Sequence, residues 1–342
     1  MEAKTIKKAD VKGLLDRLAG EHRVYGPVKR KDQVSFEPIG PGDEVFLEYT
    51  QAKMSPKGIF FPQREDLFRY RVEDRDVAVS RPVEEQGEII LFGIHPCDAK
   101  GLQVLDRVFG GSPGDPYYQE KRSRATVVVL GCREPHSGCF CTALGGGPCV
   151  QEGADLLLVD IGDRYLIQIV TDRGGALLEK EGLPEAEEHH LAVAAEAVKR
   201  AEEAMEAGPG MENAEDILEK RFSDTVWDEV SEKCIGCGIC TYLCPTCHCF
   251  DLCEEAVRSE GKRTRIWDSC QYPLFTREAS GHNPRNTQGK RMRQRIMHKF
   301  NYLPAAMQTW GCTGCGRCVT ECPVNLDIRQ ILTILLKLDD TQ

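Results

Sequence analysis

Residues 234–245 read CIGCGICTYLCP and residues 312–323 read CTGCGRCVTECP, and the two stretches share the pattern C-x2-C-x2-C-x3-C-P. Three thiolates at i, i+3 and i+6 on a tight loop can wrap three corners of a cubane. Gly236, Gly238, Gly314 and Gly316 let the backbone fold closely round an inorganic core and turn N–H groups toward its sulfurs. In two-cluster proteins the fourth cysteine ligates the other cluster, and the proline after it directs the chain away. The expected ligand sets are therefore crossed. Cys234, Cys237 and Cys240 take Cys322, and Cys312, Cys315 and Cys318 take Cys244. Zinc needs four ligands, commonly two distant C-x2-C pairs, and asks for neither a third cysteine at i+6 nor the proline. Two copies of the motif point to two [4Fe–4S] clusters.

The 67 residues between the motifs, 245–311, are a long insert for a ferredoxin and carry helical patterning. By fold-level analogy this favours the α-helical ferredoxin architecture of iron–sulfur subunits in respiratory and heterodisulfide reductases. The fold class expected is mixed α+β: an N-terminal α/β domain over 1–180, a helical connector over 181–220, and an α-helical ferredoxin-type two-cluster domain over 221–342.

Composition agrees with a soluble globular chain of two domains: 342 residues, 41% hydrophobic and 29% charged. No apolar run reaches the ~18 residues of a membrane span. The charged N-terminus has no secretory pattern, so the cytoplasm is the expected location. A net charge of −10 argues against a nucleic-acid partner. The cysteine count of 17 is odd and clustered, which in a reducing compartment means metal rather than disulfides.

In the N-terminal part, 43–50, 58–63, 88–94 and 125–131 read as strands, the last two buried on both faces. Residues 98–110 have helical spacing, so 88–131 forms a βαβ unit with an irregular piece at 111–124. Residues 155–171 read as a hairpin turning at Gly162-Asp163. A helix over 184–207 ends at Gly208-Pro209-Gly210, and 211–233 is a second helical stretch. Cys97 and Cys132 each follow one of the two buried strands, so parallel neighbours would bring both to the carboxyl edge where open α/β sheets place ligands. Cys139 and Cys141 follow in a glycine-rich loop. Four thiolates converging there can hold a third cluster or a zinc ion, with iron–sulfur ahead because the chain already binds clusters. Cys149 reads as a spare.

Cys247, Cys249, Cys253 and Cys270 follow the first motif and read as ligands, redox thiols or, most simply, buried core residues. None of His248, His282 and His298 is assigned as a ligand. The basic stretch KRMRQRIMHKF (290–300) reads as a solvated helix face, with support of anionic clusters or docking of an acidic partner as the functional alternative. There is no G-x-G-x-x-G or P-loop fingerprint and no assignable catalytic triad, so no catalytic residue is expected.

FFPQREDLFRY (60–70), GIHPCDAKGLQVLD (93–106), GCREP with CFC (131–141), CPTCHCFD (244–251), WDSC (267–270), GHNPR (281–285) and CTGCGRCVTECPVNLDI (312–328) together resemble the iron–sulfur β subunit of cytoplasmic sulfhydrogenases and the corresponding iron–sulfur subunit of anaerobic sulfite reductase. The likeness covers nearly the whole chain, with Cys149 and Cys253 as departures. It implies a non-catalytic relay between a flavin subunit handling NAD(P) and a terminal partner of hydrogenase, sulfite reductase or heterodisulfide-reductase type. It also implies a cluster at Cys97, Cys132, Cys139 and Cys141. The rival readings are a self-sufficient flavin- or substrate-binding reductase and a zinc-binding interaction module without redox activity.

Overall fold

The computed structural model describes residues 2–82 and 86–337. Their strands are β1 (Ala3–Lys7), β2 (Arg23–Arg30), β3 (Gln33–Ile39), β4 (Arg64–Glu73), β5 (Asp76–Ser80), β6 (Ile89–Ile94), β7 (Ala125–Leu130), β8 (Leu156–Asp160), β9 (Arg164–Ile169), β10 (Phe250–Val257) and β11 (Glu260–Trp267). Seven of them form a sheet in the order β1-β9-β8-β7-β6-β2-β3. Its centre, β8-β7-β6-β2, is parallel, and the outer pairs are antiparallel.

β6 and β7 are buried along their whole length, as their unbroken apolar runs require. Alternate residues face opposite layers. Ile89 and Leu91 pack with Leu102 and Leu105 of the helix Pro96–Phe109. Ile90 and Phe92 pack with Leu14, Leu15 and Leu18 of the helix Val11–Glu21. Burying each such side chain is worth about 1.5–3 kcal/mol, so the centre of this sheet is the stable platform of the molecule. The βαβ unit, the hairpin at Gly162-Asp163 and the connector helix, observed as Glu188–Glu203, stand where the sequence places them.

Other segments differ. Residues 43–50 form no strand; Phe46 N donates to Pro27 O at 2.7 Å, beyond the Arg23–Tyr25 stretch where β2 pairs with β6, and no ladder follows from that bond. The segment instead packs over the end of β6, where the Tyr49 hydroxyl donates to Gly93 O at 2.6 Å. Residues 58–63 are no strand either. Pro56–Ile59 make one 3-10 turn capped by Ser55, and the strand begins at Arg64. Within 111–124 lies the helix Pro116–Ser123, started by Pro116 and capped by Asp115 accepting from Tyr118 N at 2.9 Å. The stretch 211–233 breaks into two short helices, Ala214–Lys220 and Val226–Ser231, with the Trp227 indole donating back to Arg221 O at 2.7 Å.

The segment between the cysteine motifs is not helical throughout. β10 and β11 form a hairpin that extends β4 and β5 into a second sheet, β10-β11-β4-β5. Arg265 fixes it: buried among Phe61, Phe109 and Phe250, its guanidinium donates to both Glu65 and Asp115. The chain thus returns across itself before reaching its last motif.

Candidate metal centre

The two motif loops repeat one backbone course. Gly236 and Gly238 lie at φ 68° and 77°, Gly314 and Gly316 at 66° and 75°. These left-handed values suit glycine, and they bend each loop round its first three cysteines. A short helix follows each loop, Ile239–Tyr242 and Arg317–Thr320. Gly314 also meets another backbone: a side chain there would lie 2.5 Å from the Cys141 backbone. Phe140 N donates to Gly314 O at 2.9 Å, which ties the Cys139–Cys141 loop to the second motif.

Cys234, Cys237, Cys240 and Cys322 line one concavity with Gln271, Met292 and Arg295. Cys244 comes from the other motif and lies among Cys312, Cys315 and Cys318; burial pushes each of these three thiols up, and the charge of Cys244 adds to it, for Cys318 after the charges of Cys315 and Cys240. Cys97, Cys132, Cys139 and Cys141 form a third group, at the carboxyl ends of β6 and β7. Cys149 is adjacent: a side chain on Gly131 would lie 2.7 Å from its sulfur. Burial pushes these thiols up as well, Cys139 to about 11 and Cys149 to about 12, so they need a compensating charge before they ionise.

The surroundings fit anionic iron–sulfur groups. Backbone and amide N–H groups point at sulfurs of the motif cysteines: Leu326 N to Cys322 at 3.2 Å, Gly314 N to Cys312 at 3.4 Å, and Gln288 Nε2 to Cys234 at 3.1 Å. Such bonds stabilise charge on the sulfurs. Among the described residues, no three His, Cys, Asp or Glu close on a point that would take one metal ion. A cubane makes no such demand, because its thiolates attach to separate irons.

The basic stretch 290–300 does not lie on a solvated face. Arg291, Arg295 and Lys299 recur every four residues on the helix Gln288–Met297 and the π turn after it, and all three are buried. Lys299 Nζ lies 3.3 Å from Cys244 Sγ and also donates to Thr246 Oγ1 and Gly311 O. Arg295 Nη1 is 3.8 Å from Cys247 Sγ. Lys57, 1% exposed, donates to Cys247 O at 2.8 Å and Thr241 O at 3.3 Å, and stacks on Trp267. Burial of cations is costly, so their collection around thiols marks a region built for negative charge. The helical spacing of 291, 295 and 299 carries this signal in the sequence, but a solvated basic stripe has the same spacing.

His248 and His298 form an edge-to-face pair with ring centroids 5.3 Å apart. Cys253 lies on β10, opposite Thr264. One further pair has no motif to announce it in the sequence: Asp98, beside Cys97, and Arg317, between Cys315 and Cys318.

The architecture is that of a mixed α/β iron–sulfur protein with a ferredoxin-type C-terminal part: the 4Fe-4S dicluster domain family matches residues 233–326. Over 320 residues the chain is 34% identical to sulfhydrogenase 2 subunit beta of Pyrococcus furiosus, covering 93% of each chain. The protein belongs to the sulfhydrogenase β-subunit family. No solved structure matches it. Among the described residues, no helix is long and apolar enough to cross a membrane.

Proposed function

We propose that this chain is the electron-transfer subunit of a cytoplasmic, anaerobic oxidoreductase complex. It relays electrons between a flavin subunit handling NAD(P) and a terminal catalytic subunit of hydrogenase, sulfite reductase or heterodisulfide-reductase type. The observation that carries the reading is the gathering of three thiol groups side by side, with buried cations and N–H donors aimed at sulfur. Membership of a family named for one subunit of a larger enzyme supports the partners. The ligand sets are Cys234, Cys237, Cys240 and Cys322; Cys312, Cys315, Cys318 and Cys244; and Cys97, Cys132, Cys139 and Cys141.

Bound [4Fe–4S] clusters supply reversible one-electron carriers. The chain's own residues set the terms. Lys299 and Arg295 favour extra negative charge beside Cys244 and Cys318. The Gly314–Phe140 bond and the Asp98–Arg317 pair hold the N-terminal group against the second motif. Cys237 is exposed and Ile235 beside it is 65% exposed, which makes this corner the docking face for a redox partner.

Anaerobic purification with iron, acid-labile sulfide and electron paramagnetic resonance tests the reading. About twelve irons per chain are expected for three clusters. About eight would remove the N-terminal one. A colourless protein holding zinc would end the proposal.

A further inference from the structure

Cys249 and Cys270 belong to none of the three thiol groups. The hairpin β10–β11 brings them together at its closed base. Phe250 pairs with Trp267 in register, Asp268 N donates to Cys249 O at 2.9 Å, and the chain then turns through buried Ser269 to Cys270. The two side chains are near neighbours there, and Gln271 Nε2 donates to Cys270 Sγ at 3.5 Å. Two thiols set side by side at the base of a hairpin, with no place in the three ligand sets, can join as a disulfide.

The pair stands between the two ferredoxin-type groups. Cys270 neighbours Cys240 of the first. Cys249 neighbours Cys247, which in turn neighbours Cys244 of the second. Arg295 and Lys299 give the pair cationic surroundings. A thiol beside a resolving partner, in cationic surroundings, is the arrangement of a redox-active dithiol.

We propose that Cys249 and Cys270 form a redox-active dithiol placed between the two ferredoxin-type cysteine groups, storing two electrons beside the one-electron path. Oxidation joins Sγ of Cys249 to Sγ of Cys270 and releases their protons. The two electrons pass singly to oxidised iron–sulfur acceptors at the neighbouring cages. Reduction reverses each of these changes. The pair rests on the relay reading for its electron donors and acceptors. Its role is to let one-electron carriers meet a partner that gives or takes electrons in twos.

The test uses the full chain, purified anaerobically with its clusters. Reduced and oxidised samples are alkylated, digested and mapped by mass spectrometry, and reductive titrations are run on wild type, Cys249→Ser and Cys270→Ser. The expected result is a peptide cross-linked through Cys249 and Cys270 in the oxidised wild type only. Either variant should keep the wild-type iron content and take up two electrons fewer. Loss of about four irons in either variant would overturn the proposal, since those sulfurs would then hold metal. So would equal electron uptake, or a wild-type map without the cross-link. A wild type without iron or sulfide would instead end the relay reading, and the cross-linked peptide would still decide the dithiol.

Discussion

Arg317 and Asp98 meet as a bidentate ion pair, with Nη1–Oδ1 at 2.7 Å and Nη2–Oδ2 at 2.8 Å, and neither side chain is more than 1% exposed. Arg317 Nε completes its bonding at Ala52 O, 2.8 Å away. The pair joins the helix that begins at Pro96, just before Cys97, to the start of the short helix Arg317–Thr320 that carries Cys318 and follows Cys315.

Removing one partner leaves the other charged, buried and alone, which costs about 3–5 kcal/mol. Arg317→Leu or Asp98→Leu should lower stability to denaturant by that order, while the double variant should be less damaged than the sum of the singles. Additive losses in a double-mutant cycle would show that the two charges are not coupled.

Cys132 distinguishes a metal-bearing N-terminal group from buried thiols. Cys132→Ser should reduce bound iron by about four atoms per chain and leave the rest in place. Elemental analysis of the anaerobic variant against wild type checks this, and unchanged iron would assign Cys132 to the core.

Lys299 places a cation beside Cys244, and a nearby cation favours the more negative, reduced state of whatever these thiolates hold. Lys299→Met should lower the midpoint potential of one centre by tens of millivolts, about 59 mV for each 1.4 kcal/mol of lost interaction. Potentiometric titration followed by paramagnetic resonance reads the shift. An upward shift or none would contradict the electrostatic role.

Burial, and then the charge of neighbouring His248, holds His298 down to about 3 from the ordinary 6.5 of an imidazole. The folded chain thus keeps this imidazole neutral, while the unfolded chain protonates it below about pH 6.5. The contribution is fully present above pH 6.5 and is lost as pH falls toward 3. His298→Gln should flatten the fall in stability between about pH 7 and 5, by at most about 1.4 kcal/mol per pH unit for a single proton. Urea midpoints of the two proteins across that range make the comparison, and parallel curves would exclude His298.

The cysteine spacings make the ferredoxin-type part legible, because a cubane dictates local separations that chance seldom meets. The buried strands around Ile90 and Val128 are legible because burial on both faces leaves an unbroken apolar run. Residues 43–50 have a strand's composition, yet they cross the end of β6, held by the Tyr49 hydroxyl on Gly93 O, and run along no sheet edge. β10 is hidden for the opposite reason. Its residues, Phe250 to Val257, are mostly exposed and mix acidic with apolar side chains, and its pairing depends on Arg265 finding Glu65 and Asp115 far away in sequence. The burial of Arg291, Arg295 and Lys299 escapes a sequence reading because composition reports a cation's charge and is silent on what stands opposite it.

The hairpin β10–β11 also bears on how this chain can be engineered. An excised C-terminal fragment would carry β11 without its neighbour β4 and leave Arg265 stripped of both carboxylates. Unpaired strand edges recruit other strands, so such a fragment is headed for inclusion bodies. Transplanting the electron-carrying unit into another enzyme therefore means moving residues 64–80 with it, or supplying a substitute edge.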